Sequence, residues 1–265
     1  MELFFRKYGS GPALIILHGL YGSSDNWVTV ASALSDKFEV FIPDQRNHGR
    51  SPHSTEHTYE LLQNDILEFM DMHNIKTASI LGHSMGGKTA MFFSNKHPDR
   101  ISHMIVTDIS PRAYTDHRSA SVHSLHHRTI LDALKSIDIS VLTSRKEAEL
   151  ILSSKLESDR TVQFLLKNLY RDTNNQFKWR LNLDVLQQSI PFLLIGMNDS
   201  LQITGFPVLF LSGALSHYIE KEDIQLIQHI YPGAEIATVK NAGHWLHAEQ
   251  TEEFIRLVTE FLENN

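Results

Sequence analysis

The run Gly82-His83-Ser84-Met85-Gly86-Gly87-Lys88-Thr89 satisfies two patterns that do different chemistry. Gly82 to Gly86 is G-x-S-x-G, which presents a serine as a nucleophile on a sharp strand-to-helix turn. Gly82, Gly87, Lys88 and Thr89 also fit G-x-x-x-x-G-K-[ST], a phosphate-cradling loop for which Asp108 would serve as the magnesium carboxylate. Both patterns want a strand before and a helix after, so this run alone leaves both open. A serine hydroxyl at neutral pH needs a general base, and the oxyanion formed on its attack needs donors. His18-Gly19-Leu20-Tyr21-Gly22 follows the apolar run Ala13 to Leu17, where a loop can aim the Leu20 N–H at the oxyanion. Met85, directly after the serine, offers the second N–H, and Asn241-Ala242-Gly243-His244-Trp245 offers His244 as the base. A phosphate loop has no use for these residues, which favours Ser84 as nucleophile.

These residues all lie at the ends of stretches that read as strands. Ala13 to Leu17, Val40 to Ile42, Ala78 to Leu81 and His103 to Thr107 are continuous apolar or β-branched runs, as in buried parallel strands. Pro207 to Leu211 and Glu235 to Val239 repeat the theme. Between them Thr58 precedes Leu62, Ile66, Phe69 and Met70 at helical spacing, and Gly86 to His97 is a second helix stopped by Pro98. A last helix shows Phe254, Val258, Phe261 and Leu262 on one face, with Thr251 expected as its N-cap. The alternation predicts an α/β fold with a doubly wound, mostly parallel sheet. Residues 111–206 are far too long for one crossover. Their patterns are helical, with Ile130, Leu131 and Leu134 on one face and Val162, Leu165, Leu166 and Leu169 on another. The expectation is a helical cap over the carboxyl ends of the strands, inserted before the penultimate strand into a core made of 1–110 and 207–265.

Composition sets the remaining bounds. The chain has 265 residues, a net charge of −7 and 42% hydrophobic against 21% charged residues, as in one folded globular unit. The absence of cysteine excludes disulfides, thiolate zinc sites and a cysteine nucleophile. No apolar run approaches the ~18 residues of a membrane span, and the start, Met1 to Lys7, holds too brief an apolar stretch for a signal peptide. A pI of about 6.1 leaves no electrostatic footprint for nucleic acid or anionic membrane. A cytoplasmic protein with a small-molecule partner is expected; oligomeric state is not legible.

The segments 18–27, Asp44-Gln45-Arg46-Asn47-His48-Gly49-Arg50-Ser51, Gly82 to Lys88, Asp108-Ile109-Ser110-Pro111 and Asn241 to Glu249 together resemble the serine α/β-hydrolases over nearly the whole chain. The wording Arg-Asn-His-Gly, Met-Gly-Gly-Lys and Asp-Ile-Ser-Pro is most similar to a small esterase and thioesterase branch with bacterial members and mitochondrial relatives. The resemblance implies ester or thioester hydrolysis without a cofactor. In one place the chain departs from the superfamily: where most members carry the triad acid in Gly-x-x-Asp after the penultimate strand, Gly213-Ala214-Leu215-Ser216 has Ser216. Asp108 ends the neighbouring strand, only ~4.8 Å away in a sheet. It is therefore the expected acid, with Asp184 and Asp199 in reserve.

Plainer readings stand beside these. Asp44, Arg46 and His48 are expected to tie a loop beside the site, and Lys88 to take a surface or ion-pair role. His123, His126 and His127 have a spacing that can bind zinc, but no carboxylate completes the set, so a solvated or cap-lining cluster is expected. Phe164, Phe177, Trp179 and Trp245 are candidates to line an acyl pocket, though a cap also needs a core of its own. A ligand-binding protein that turns over slowly is the rival from outside enzymology.

Overall fold

The computed structural model describes residues 1–115 and 120–265, with side chains described throughout these except at 120–124. In chain order the elements are β1 (Phe5–Tyr8), β2 (Ala13–Leu17), α1 (Val28–Leu34), β3 (Glu39–Pro43), α2 (Tyr59–Met72), β4 (Ala78–His83), α3 (Met85–Lys96) and β5 (Ile101–Thr107). Then follow α4 (Ala120–Lys135), α5 (Arg145–Ser153), α6 (Asp159–Leu166), β6 (Leu169–Arg171), β7 (Phe177–Trp179) and α7 (Leu183–Leu193). The chain closes with β8 (Val208–Gly213), α8 (Asp223–Ile230), β9 (Glu235–Val239), α9 (Leu246–Glu249) and α10 (Thr251–Asn264).

Seven strands form one sheet in the order β1-β3-β2-β4-β5-β8-β9, parallel except for β1, which runs antiparallel along β3 from Phe5↔Pro43 to Tyr8↔Val40. The alternation of side chains along each strand feeds two separate cores. Ile15 and Leu17 of β2 join Phe69 of α2, Met91 of α3 and Ile227 of α8 on one face. Leu14 and Ile16 join Trp27, Leu34 of α1 and Phe254, Val258 and Phe261 of α10 on the other. Central β4 is buried at every position because helices cover both its faces. Thr58 caps α2 as expected, accepting a hydrogen bond from the Leu61 N–H. Thr251, expected as an N-cap, is the first residue of α10; its hydroxyl donates to the His247 carbonyl, continuing the turn from α9.

The segment between β5 and β8 carries α4, α5, α6, the β6–β7 hairpin and α7. Leu169, expected on a helix face with Val162, Leu165 and Leu166, instead opens β6 opposite Trp179. The two ends of this segment cross closely: the Tyr114 N–H donates to the Leu194 carbonyl at 2.7 Å and the Met197 N–H to the Pro111 carbonyl at 2.8 Å. A Cβ on Gly196 would sit 2.5 Å from the Ala113 nitrogen, so the crossing needs that glycine. Among the described residues no helix is long and apolar enough to cross a membrane.

Candidate active site

Four neighbouring strands, β4, β5, β8 and β9, end at the same edge of the sheet and lead into Ser84, Asp108, Ser216 and His244 in turn. Ser84 sits between β4 and α3 with φ 53° and ψ −116°, a region that costs a residue with a Cβ of order 1–3 kcal/mol. Tight contacts hold it there. A Cβ on Gly82 would come 2.3 Å from the Gly86 carbonyl oxygen, and one on Gly86 would come 2.2 Å from that of Leu17. The Ser84 N–H donates to the Thr107 carbonyl at 3.0 Å, tying the turn to β5.

Asp108 is fully buried and also has a positive φ, 51°. Its Oδ1 accepts from the Gly213 N–H at 3.0 Å, while Oδ2 accepts from the Ser216 hydroxyl and from His244 Nδ1, the latter at 2.7 Å. With its Nδ1 proton committed to Asp108, neutral His244 keeps a lone pair on Nε2. Two further groups fix that imidazole. The His83 Nε2–H donates to the His244 carbonyl at 2.8 Å, and the Tyr218 ring stacks on the imidazole with centroids 4.0 Å apart. Tyr218 is itself tied in, because its N–H donates to the Ser216 hydroxyl oxygen at 3.3 Å. The reserve acids do not take part: Asp184 pairs with Lys135 at the surface and Asp199 is exposed in a loop.

Leu20 belongs to a loop pressed against Ser84, since a Cβ on Gly19 would lie 2.8 Å from His83 Nδ1 and 3.3 Å from the Ser84 Cβ. Met85 is the first residue of α3, so its N–H has no partner within the helix. The next residue of the loop, Tyr21, has φ 64° and is gripped at both of its peptide groups. Its N–H donates to His48 Nε2 at 3.3 Å, and its carbonyl accepts from Asn168 Nδ2 at 2.8 Å. Since Nε2 accepts, the His48 proton is on Nδ1, which donates to the Arg46 carbonyl at 2.9 Å. His18 follows the same logic: Nε2 accepts from the Gln45 N–H at 2.9 Å, and Nδ1 donates to the Gly19 carbonyl at 2.9 Å. Burial pushes both imidazoles below the ordinary histidine pKa and so keeps these roles neutral.

The expected loop-tying residues do that work. Asp44 accepts from the Ser24 and Arg50 N–H groups at 2.6 and 2.8 Å, and Arg46 makes a bidentate buried pair with Asp65 at 2.5 and 2.7 Å. Lys88 differs from its expected surface role. It is fully buried, and its ammonium donates to the carbonyls of Pro111, Arg112 and Ile195 at 2.9, 2.6 and 3.0 Å, clasping the crossing where the segment between β5 and β8 begins and ends. The phosphate-loop reading fails on the same geometry. Gly86, Gly87, Lys88 and Thr89 are helical, and Thr89 spends its hydroxyl on Gln45 Oε1 and the Met85 carbonyl. No phosphate cradle is left.

Ser84 and His244 face a cleft walled by His126, His127, Phe164 and Trp245 among others, with the Phe164 and Trp245 rings 5.3 Å apart. Phe177 and Trp179 do not reach it. They lie on β7, where Phe177 is buried beneath the Arg171 guanidinium at 4.0 Å and Trp179 packs against the same apolar cluster that Phe177 joins, one continuous with the core on that face of the sheet. The His123 side chain lies outside the described residues; among those described, no group of three metal-ligating side chains occurs. Sequence reasoning missed Ser216, Tyr218, His83 and Asn168 as partners. For Ser216 the signal was present, because it occupies the strand-end position at which an acid is usual.

The family model described as the alpha/beta hydrolase fold matches residues 12–251. The sn-1-specific diacylglycerol lipase ABHD11 of Mus musculus is 36% identical over 95% of this chain and 81% of its own length. Esterase YbfF of Escherichia coli is 30% identical over 97% of this chain and 94% of its own. A solved marine microorganism esterase superposes with a TM-score of 0.93 at 46% identity, covering 98% of this chain and 99% of that one. With a seven-stranded sheet of this order and a match spanning nearly its whole length, the chain belongs to the α/β-hydrolase family.

Proposed function

We propose that the chain is a serine esterase that cleaves carboxylic esters or acyl thioesters of small molecules through an acyl-serine intermediate. The carrying observation is the 2.7 Å bond from His244 Nδ1 to buried Asp108, with Ser84 held at positive φ in the same cleft. In this reading Ser84 Oγ attacks the acyl carbonyl as its proton passes to His244 Nε2, and Asp108 stabilises the imidazolium. The Leu20 and Met85 N–H groups receive the oxyanion, each such donor being worth about 10²–10³ in rate. His244 then protonates the alcohol or thiol as its bond to the acyl carbon breaks. Water, deprotonated by His244, attacks the acyl-serine and releases the acid and the free serine. Both reactants are closed-shell and every proton is accounted for by His244, so the reaction needs no cofactor.

The names of the relatives, a diacylglycerol lipase and two esterases, support ester chemistry. Residues 111–206 then act as a cap on a core of 1–110 and 207–265, with Lys88 fastening the neck. A fluorophosphonate probe tests the mechanism directly, since only an activated serine reacts quickly. The expected adduct is on Ser84 alone, and Ser84→Ala should lose both the adduct and the hydrolysis of p-nitrophenyl butyrate. Undiminished turnover by that variant would sink the mechanism.

A further inference from the structure

A carboxylate other than Asp108 grips the loop that carries His244. Glu249, the last residue of α9, folds back over the turn that leads into that helix. Its Oε2 accepts from the Gly243 N–H at 3.0 Å and its Oε1 from the Trp245 N–H at 3.2 Å, so the residues on either side of His244 are bonded to a single group. The His244 carbonyl accepts from His83 Nε2–H at 2.8 Å. The peptide unit joining His244 to Trp245 is thereby pinned at its oxygen and at its nitrogen. A capping side chain ordinarily accepts from N–H groups within the first turn of a helix, whereas Glu249 spends both oxygens ahead of that turn. Glu249 is itself held from the segment between β5 and β8, where Arg160 of α6 brings Nη1 to 3.1 Å from Oε2. Glu249 is not part of the wall of the cleft, so its effect on the reaction must pass through His244.

We propose that Glu249 is a positioning residue for the general base, holding the His244 backbone so that Nε2 stays directed at Ser84, and that Arg160 links this hold to α6. The inference rests on the esterase reading, since it matters only where His244 moves protons. Asp108 and Tyr218 fix one nitrogen and one face of the imidazole. They do not fix the Cα from which the ring hangs. With Nδ1 tied to Asp108, a displaced Cα swings the far nitrogen, Nε2, about that bond, and a misplacement of about 1 Å can cost 10² in rate. The hold needs a carboxylate, because each of its oxygens accepts. The amide of glutamine has the same shape but only one acceptor, and its NH₂ group would face the other N–H. One of the two bonds is therefore lost whichever way the amide turns. Arg160 is 60% exposed, so its ion pair adds little stability of its own; its contribution is to orient the carboxylate.

The test measures kcat and KM for p-nitrophenyl butyrate, the rate of fluorophosphonate labelling at Ser84 and the melting temperature on the same preparations of wild type, Glu249→Gln, Glu249→Ala, Arg160→Gln and the double variant Glu249→Gln/Arg160→Gln. Glu249→Gln, which keeps the shape, should lower kcat and the labelling rate by about tenfold with KM within about twofold, the pattern of a loss felt in the transition state. Glu249→Ala, which removes both bonds, should lower kcat by about thirtyfold or more. A purely structural role would lower the melting temperature and leave kcat of the folded enzyme untouched; that result overturns the proposal, as does a loss confined to KM. Arg160→Gln should lower kcat by about two- to threefold. The double variant should be no slower than Glu249→Gln alone, because the arginine acts only through that carboxylate. Losses that multiply would overturn the link to α6. A wild type that labels Ser84 and hydrolyses the ester, beside an unimpaired Glu249→Gln, overturns this inference and leaves the esterase reading standing. A wild type that labels no serine and turns over no ester overturns both.

Discussion

Replacing Asp108 by Asn changes one heavy atom in a network with three donors, the Gly213 N–H, the Ser216 hydroxyl and His244 Nδ1. The amide cannot accept at all of them and favours the wrong histidine tautomer, so kcat should fall by about 10⁴ while the fold survives. Steady-state kinetics on Asp108→Asn, with Asp184→Asn and Asp199→Asn as controls that keep their activity, checks this. A collapse in either control and none in Asp108→Asn would move the acid elsewhere. Ser216→Ala removes a single charge-assisted bond of ~1.5–3 kcal/mol, so a kcat loss of tenfold or somewhat more is expected, with Ser216→Thr restoring most of it. A fully active Ser216→Ala would reduce that contact to packing. Ser84, Asp108 and His244 are legible in the sequence because each follows a β-rich run, and parallel strands all deliver their ends to one edge. Tyr218 and His83 are not legible, because stacking on an imidazole or holding its carbonyl is decided by loop geometry that leaves no pattern along the chain.

The elements show the same division between pattern and contact. The buried parallel strands announce themselves as apolar runs, and β9 has the expected bounds, Glu235–Val239. Edge strand β1 does not, since it is four residues long and half of it is Arg6 and Lys7. The β6–β7 hairpin is hidden for a similar reason: two strands of three residues carry too little alternation to stand out from the helical patterns around them. Contacts between elements tie the segment between β5 and β8 to the loop that carries Leu20 and Tyr21. Asn168 follows α6 and is buried, and it donates both to the Tyr21 carbonyl and to the Leu165 carbonyl at 3.2 Å. The loop that carries Leu20 and Tyr21 is thus held by Asn168 on one side and by His48 on the other. Asn168→Ala should therefore lower kcat by roughly tenfold with KM nearly unchanged, because a loosened donor is felt in the transition state. An unaltered kcat with a raised KM would mean that Asn168 serves only substrate access. Lys88 is the other link. Lys88→Met takes a donor from the Arg112 and Ile195 carbonyls, while the Pro111 carbonyl keeps the Met197 N–H; an orphaned acceptor costs about 1–3 kcal/mol, which thermal or urea unfolding would register. A variant as stable as the wild type would show that water replaces the ammonium.

At the scale of the whole molecule, the histidines decide how the protein meets acid. Burial holds His57 and His247 at a pKa of about 3 and also pushes His18, His48 and His83 below the ordinary value. Of these, His57 and His247 are neutral in the folded protein at pH 5, whereas an unfolded histidine titrates near ~6.5. Below that value the unfolded chain binds protons that the native state refuses, so stability rises with pH in this range. The contribution of these groups is fully present above about 6.5 and is lost as the pH falls towards 3. With about two protons taken up per molecule by His57 and His247, the slope approaches ~2.7 kcal/mol per pH unit near pH 5. A domain holds only ~5–15 kcal/mol in total, so a loss of this size lowers the unfolding midpoint measurably between pH 6.5 and pH 5. Calorimetry at pH 5 in buffers of different ionisation enthalpy would count the protons directly. His247 offers the sharpest single test. It stacks on Trp27 with centroids 4.1 Å apart and an interplanar angle of 11°, and its Nδ1 is buried with no hydrogen-bond partner. His247→Phe keeps the stacked ring and deletes the titrating group, so uptake on unfolding should fall by about one proton and the acid midpoint should move down. An uptake of one proton or fewer in the wild type would mean that the native state already carries these protons, and the acid sensitivity would then have to come from its carboxylates instead.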